Sequence, residues 1–137
     1  MTAVLPPLFI MVALAIVTVF LLAAFRIIPS LSDKALAKEA AKGRKDVFSP
    51  RSKLFADNLQ NQFETPVLFY AAVLLAIITE PVSDWFITLA WVYAIARVLH
   101  TIVHVTVNIV IVRLALFTVS VVVLILMWVS LHNNLMG

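Results

Sequence analysis

Long apolar runs broken by short polar punctuation predict four helices along this chain. The first reads from Val4 to Ile28 and is expected to close at Pro29. Pro6 and Pro7 fall in its first turn, where a missing N–H costs little. The second runs from Leu59 to Thr79, and Glu80-Pro81 ends it, because the residue before a proline disfavours the helical region. The stretch from Trp85 to Leu131 is about twice the ~20 residues that one helix needs to cross a bilayer. It therefore holds two helices with a turn between them. No Gly or Pro marks that turn. Asn108 and Arg113 bracket it, which places it around Asn108 to Val112 and predicts a tight antiparallel pair. The expected organisation is one domain over residues 1–137, with spans at 4–28, 59–79, 85–107 and 112–132 and a loop at 29–58.

The third run carries an ordered polar stripe. Arg97, His100, His104 and Asn108 stand at i, i+3, i+7 and i+11, one face of a helix, and Tyr93 extends it by a turn. A charge at the centre of a membrane helix costs ~2.5–3.5 kcal/mol on insertion scales, so these groups need partners or a polar cavity.

Composition supports the membrane reading. Of 137 residues, 64% are hydrophobic and 12% charged, more apolar surface than a soluble domain of this size needs. There is no cysteine, hence no disulfide framework or thiol of its own. The two glycines, Gly43 and Gly137, cannot build a phosphate-cradling loop. The net charge of +3 does not argue for nucleic acid, because eight of the ten Lys and Arg residues lie between Arg26 and Lys53. The positive-inside rule puts that loop in the cytoplasm and both termini outside. A bacterial inner membrane is the expected location. The first span lacks a positive leader and reads as a permanent span.

Within the basic loop, Ser32 is the expected N-cap, Asp33 suits the first turn, and Gly43 fits the C-terminal end of a short helix. Lys34, Lys38 and Lys42 share one face of it, suited to anionic headgroups.

Depth arithmetic looks for partners to the stripe. At 1.5 Å per residue, Glu64 lies ~24 Å from Glu80, while Arg97 and His100 lie ~20 and ~24 Å from Asp84. Gln60, Asn61 and Glu64 are thus expected level with Arg97, His100 and His104, with Arg113 at the mouth. Glu64 and Arg97 form either a structural ion pair or a ligand contact. His100 and His104 resemble half a zinc site, but no third ligand accompanies them, so hydrogen bonding or acid–base work is the better reading. Arg113 either snorkels to the interface or clamps an anion. Trp85 and Trp128 suit interface belts. Four helices cannot shield such a set from lipid alone, which points to oligomerisation.

These residues resemble the MAPEG family, membrane-associated proteins in eicosanoid and glutathione metabolism. Asn61-Gln62-Phe63-Glu64 is similar to the family's N-x-x-E motif, with Pro66 after it. Arg97-Val98-Leu99-His100 is similar to its R-x-x-H, and Arg113 has the spacing of the catalytic arginine in glutathione-using members. The resemblance, to a divergent bacterial-type member, covers nearly the whole chain. It implies an all-α four-transmembrane-helix bundle assembled as a homotrimer, with glutathione between subunits. Asn61 and Glu64 would then hold glutathione, with Gln60 beside them. Arg97, His100 and His104 would line the inner pocket, and Arg113 would stabilise the thiolate. The implied activity is a glutathione-dependent transferase or peroxidase acting on lipophilic electrophiles or lipid peroxides; the alternative is a non-catalytic scaffold or lipid-binding subunit. Gln60 and Asp57 stand where eicosanoid-synthesising members carry arginines.

Overall fold

A computed structural model describes residues 2–79 and 82–136, and the described residues contain helices and no strand. A single 3-10 turn at Thr2–Val4 leads into α1 (Leu5–Ser32). Then come α2 (Lys34–Ala41), α3 (Pro50–Gln62), α4 (Thr65–Ile78), α5 (Asp84–Val105) and α6 (Val110–Met136). Four segments are long and apolar enough to cross a membrane: α1, α5, α6, and α3 with α4 taken together. The expected stop at Glu80-Pro81 lies outside the described residues.

Several expected boundaries are corrected. Pro29 does not close α1, which continues to Ser32. The last turn is held around the proline: Ser30 Oγ donates to the Arg26 carbonyl at 2.7 Å, and the Pro29 carbonyl accepts the Asp33 N–H at 3.0 Å. The loop expected at 29–58 is largely helical. Asp33, not Ser32, caps α2, its carboxylate accepting from the N–H groups of Ala35 (2.9 Å) and Leu36 (3.1 Å). Gly43 follows the helix at φ +83°, where a glycine carries no Cβ penalty. The helix expected from Leu59 begins at Pro50, because Ser49 caps it through Ser52 N–H at 3.2 Å and Pro50 is preset for the first helical position.

That helix then breaks at Phe63 and Glu64. Pro66 has no N–H for the Gln62 carbonyl, and its ring would clash with that carbonyl in an unbroken helix. The turn between α5 and α6 is Thr106 to Ile109, slightly earlier than Asn108 to Val112. Asn108 adopts φ +49°, a conformation asparagine tolerates, and its N–H closes α5 on the Val103 carbonyl at 2.7 Å. The last helix continues past His132 to Met136.

Of the four long segments, α5 is the most enclosed, packing on α1, α3 and α6. An apolar core fills one end of the bundle: Phe69, Ala72 and Val73 from α4, Phe86, Leu89, Ala90 and Tyr93 from α5, and Leu124 and Met127 from α6. Phe69 and Tyr93 stack at 4.5 Å with their planes 7° apart, and both are fully buried. Large apolar side chains cover the outside, among them Phe9, Phe20, Ile78 and Ile111. Burying such surface in lipid is the ordinary reason for it.

The Phe69–Tyr93 stack is testable by thermal unfolding in detergent. Phe69→Ala should destabilise by about 3–5 kcal/mol, the usual loss for a buried aromatic. Tyr93→Phe should melt close to the parent, since the buried Tyr93 hydroxyl makes no hydrogen bond of ordinary geometry, with only the Thr65 hydroxyl near it. Melting of Tyr93→Phe well below the parent would refute that account.

Candidate functional site

The break in the second long segment sets the site. In an unbroken helix the Asn61 carbonyl would accept the Thr65 N–H. At the break it accepts Nη2 of Arg97 instead, at 2.8 Å. Arg97 is fully buried, and its Cζ stands 5.8 Å from the centre of the Phe117 ring on α6. So one guanidinium joins α5 to the broken end of α3 and touches α6.

Beside this contact lies a second link between α3 and α5. Gln62 Nε2 donates to Thr101 Oγ at 2.9 Å, and Thr101 Oγ donates to Asn58 Oδ1 at 3.3 Å. All three residues are buried. Sequence reasoning missed Asn58 and Thr101 and gave Gln62 no role. The available signal was the four-residue spacing of Asn58 and Gln62, which puts two amides on one helix face.

The stripe on α5 is buried as a unit: Arg97, His100 and His104 are all enclosed. His100 Nδ1 donates to the Arg113 carbonyl at 3.1 Å, which puts its proton on Nδ1 and leaves Nε2 as an acceptor. The two imidazoles meet edge to face, 5.7 Å between centres. Arg113 is half-buried in the first turn of α6, and its guanidinium donates to Asn108 Oδ1 in the preceding turn. Six nitrogens here are buried without a partner: Arg97 Nε and Nη1, His100 Nε2, both of His104, and Arg113 Nε. Among the described residues, no group of three His, Cys, Asp or Glu side chains gathers for a metal.

The expected residues on the second long segment behave differently. Glu64 sits at the break, exposed, and accepts from Gln60 Nε2 at 3.3 Å. Asn61 is half-buried and contributes its main chain. Among the described residues no ion pair joins Glu64 to Arg97, so the structural ion pair is not formed. The physical reason is the freed Asn61 carbonyl, which the arginine takes, leaving the carboxylate at the surface. Arg97, His100 and Arg113 are therefore brought together, whereas Gln60 and Glu64 form a separate polar pair at the helix break.

A family model then decides the assignment, because the MAPEG family model matches residues 4–132. The chain belongs to the MAPEG family. It is a multi-pass integral membrane protein, with four apolar helical segments. No curated protein and no solved structure matches the chain. In this MAPEG member the two polar motifs are joined through a main-chain carbonyl and not through their charged ends.

The Asn58–Thr101–Gln62 link offers a direct check on that architecture. Thr101→Val keeps the shape and removes the hydroxyl, leaving two buried amides short of a partner. The expected loss is about 1–3 kcal/mol of stability, read by thermal unfolding in detergent. An unchanged midpoint would mean that the amides find other partners.

Proposed function

We propose that this MAPEG chain is a glutathione-dependent transferase or peroxidase acting on lipophilic electrophiles or lipid peroxides, assembled as a homotrimer. The observation that supports this reading is the meeting of buried Arg97 and His100 with half-buried Arg113, with unpartnered nitrogens inside an apolar bundle. Intramembrane ionisable groups are costly, and function is the usual reason for keeping them.

The donors fit an anionic thiol compound. Arg113 presents Nε beside the half-exposed start of α6, with its guanidinium steered by Asn108. Glutathione, when bound, would supply the nucleophilic sulfur. A positive charge next to a thiol favours the thiolate, which is the role we assign to Arg113. His100 Nε2 is an acceptor held in place by the bond at Nδ1, suited to receive a proton. Glu64, exposed at the break beside Gln60, suits an ammonium group. Arg97 acts here as a positioning residue, since its guanidinium is enclosed and tied through Nη2 to the Asn61 carbonyl, with Nε and Nη1 left unpartnered.

A lipophilic second substrate has a surface to occupy. Thr65, Leu68, Leu124, Ile125 and Trp128 line an open, almost wholly apolar groove of about 740 Å³ between α4 and α6. Thr65 follows Glu64 directly, so the groove begins next to the Gln60–Glu64 pair at the helix break. A neighbouring subunit against the exposed apolar faces would close it.

A second reading, a non-catalytic scaffold, draws on another observation. The Arg97–Asn61 and Asn58–Thr101–Gln62 bonds are internal to one chain and hold helices together. Gln60 and Asp57, both exposed, bring no positive charge to an anionic ligand.

One experiment separates the two. Detergent-purified protein is titrated with glutathione, and thiolate absorbance is followed near neutral pH. Binding with thiolate formation is expected. Arg113→Ala should lower turnover by about 10²–10³-fold, as loss of one preorganised donor does, with its oligomeric state unchanged. No binding at millimolar glutathione would overturn the enzymatic reading and leave the scaffold.

A further inference from the structure

The basic end of the bundle holds a second polar site, about 270 Å³, between the end of α1 and the start of α3. Arg26, Lys45, Asp46, Ser52, Lys53 and Asp57 line it. We propose that this pocket binds phosphate, supplied as the phosphodiester of an anionic lipid headgroup or as a free phosphate ion.

Ser52 carries the first argument. It is fully buried, lines the pocket, and its Oγ has no hydrogen-bond partner. A hydroxyl is rarely buried unbonded unless something meets it. Arg26 carries the second. Its guanidinium lies 5.2 Å from the Phe48 ring centre, so its face is packed while its edge remains available. Its Nε is buried without a partner. Guanidinium edges match phosphate oxygens, and a hydroxyl donor completes such a set.

Charge agrees with geometry. Arg26, Lys45 and Lys53 form no ion pair among the described residues. Asp46 lines the pocket but is paired with Arg44, which does not, with Nη2 to Oδ2 at 2.7 Å. The Arg44 hydrogen bond holds the Asp46 carboxyl below its usual range, so it stays ionised and paired at neutral pH. Asp57 is then the one unpaired acid among the lining residues, against three cations. The walls are set by packing, because Phe25 of α1 stacks on Phe55 of α3 at 5.0 Å.

The surroundings suit a lipid. Ala24, Phe25, Ile28 and Pro29 line an apolar groove of about 300 Å³ at the same end of α1. Phe25 of that groove and Arg26 of the polar pocket belong to the same turn of α1, so an acyl chain and a headgroup phosphate would reach the same level of the helix. None of Arg97, His100 and Arg113 lines this pocket, and the inference does not rest on the activity proposed above.

The test uses the full chain in detergent, with native mass spectrometry and thermal unfolding. Phosphatidylglycerol, phosphatidylcholine and inorganic phosphate are added separately to the parent, to Ser52→Ala and to Arg26→Gln/Lys53→Gln. Unliganded melting shows that each variant is folded, and Arg26→Lys serves as the conservative control if Arg26→Gln is not. Retention of phosphatidylglycerol with a raised midpoint, weakened about tenfold by either variant, supports the proposal and identifies a lipid source. The same pattern with inorganic phosphate supports it and identifies free phosphate. Failure of both ligands to shift the parent, or equal retention by parent and variants, overturns it.

Discussion

The bond from Arg97 to the Asn61 carbonyl is the contact on which the polar half of this bundle depends. A chain in lipid must satisfy every backbone polar group internally, so a break in a spanning helix is tolerated only where other groups take over its hydrogen bonds. Pro66 makes such a break. Arg97 reaches across from α5 and occupies the carbonyl that the break released. The arginine and the break thus explain each other: each is costly alone, and together they lock two helices.

With that lock in place, the bundle divides into two kinds of cohesion. Around Phe69, Tyr93, Leu124 and Met127 the helices are held by close packing of apolar side chains. Around Asn58, Gln62, Arg97 and Thr101 they are held by directional bonds between α3 and α5. Packing alone lets an apolar helix slide or rotate with modest loss, whereas hydrogen bonds fix its register. The polar end is where register matters, since His100 must face Arg113 across the α5–α6 turn. Asn108 serves both needs there, turning the backbone at positive φ and receiving the Arg113 guanidinium.

Much of this was legible in the sequence, for physical reasons that also explain the misses. A stripe at helical spacing is a property of one segment, so the shared burial of Arg97, His100 and His104 could be read directly. The family motifs were legible for the same reason, being short and local. Hydropathy does not mark the start of α3, because Ser49-Pro50 signals it by capping in a polar stretch. The break at Phe63–Glu64 has one local signal, Pro66, whose missing N–H disrupts the turn before it. The partner of Arg97 could not be found by charge matching. Depth arithmetic brought Glu64 near it, yet the stronger claim came from an unsatisfied carbonyl that exists only once the helix has broken.

That outcome redistributes the arginines. Two lie in the long apolar segments away from the basic end, and the structure commits one of them, Arg97, to the fold. Arg113 alone among the pair is half-exposed, with its buried Nε unpartnered and its orientation set by a neighbouring amide. The bond to a neutral carbonyl leaves Arg97 charged, so an anion at this cluster would meet two guanidinium groups, Arg97 enclosed and Arg113 half-exposed, beside the oriented ring of His100. Of the two, Arg113 is the one whose surroundings can change, and a guanidinium acts more strongly on an anion when water is kept away. The exposed apolar faces beside it, from Ile109 to Leu114, are the surface whose burial would provide that exclusion. The chemistry of the cluster and the covering of the α6 start are therefore one problem, linked by the dielectric around Arg113.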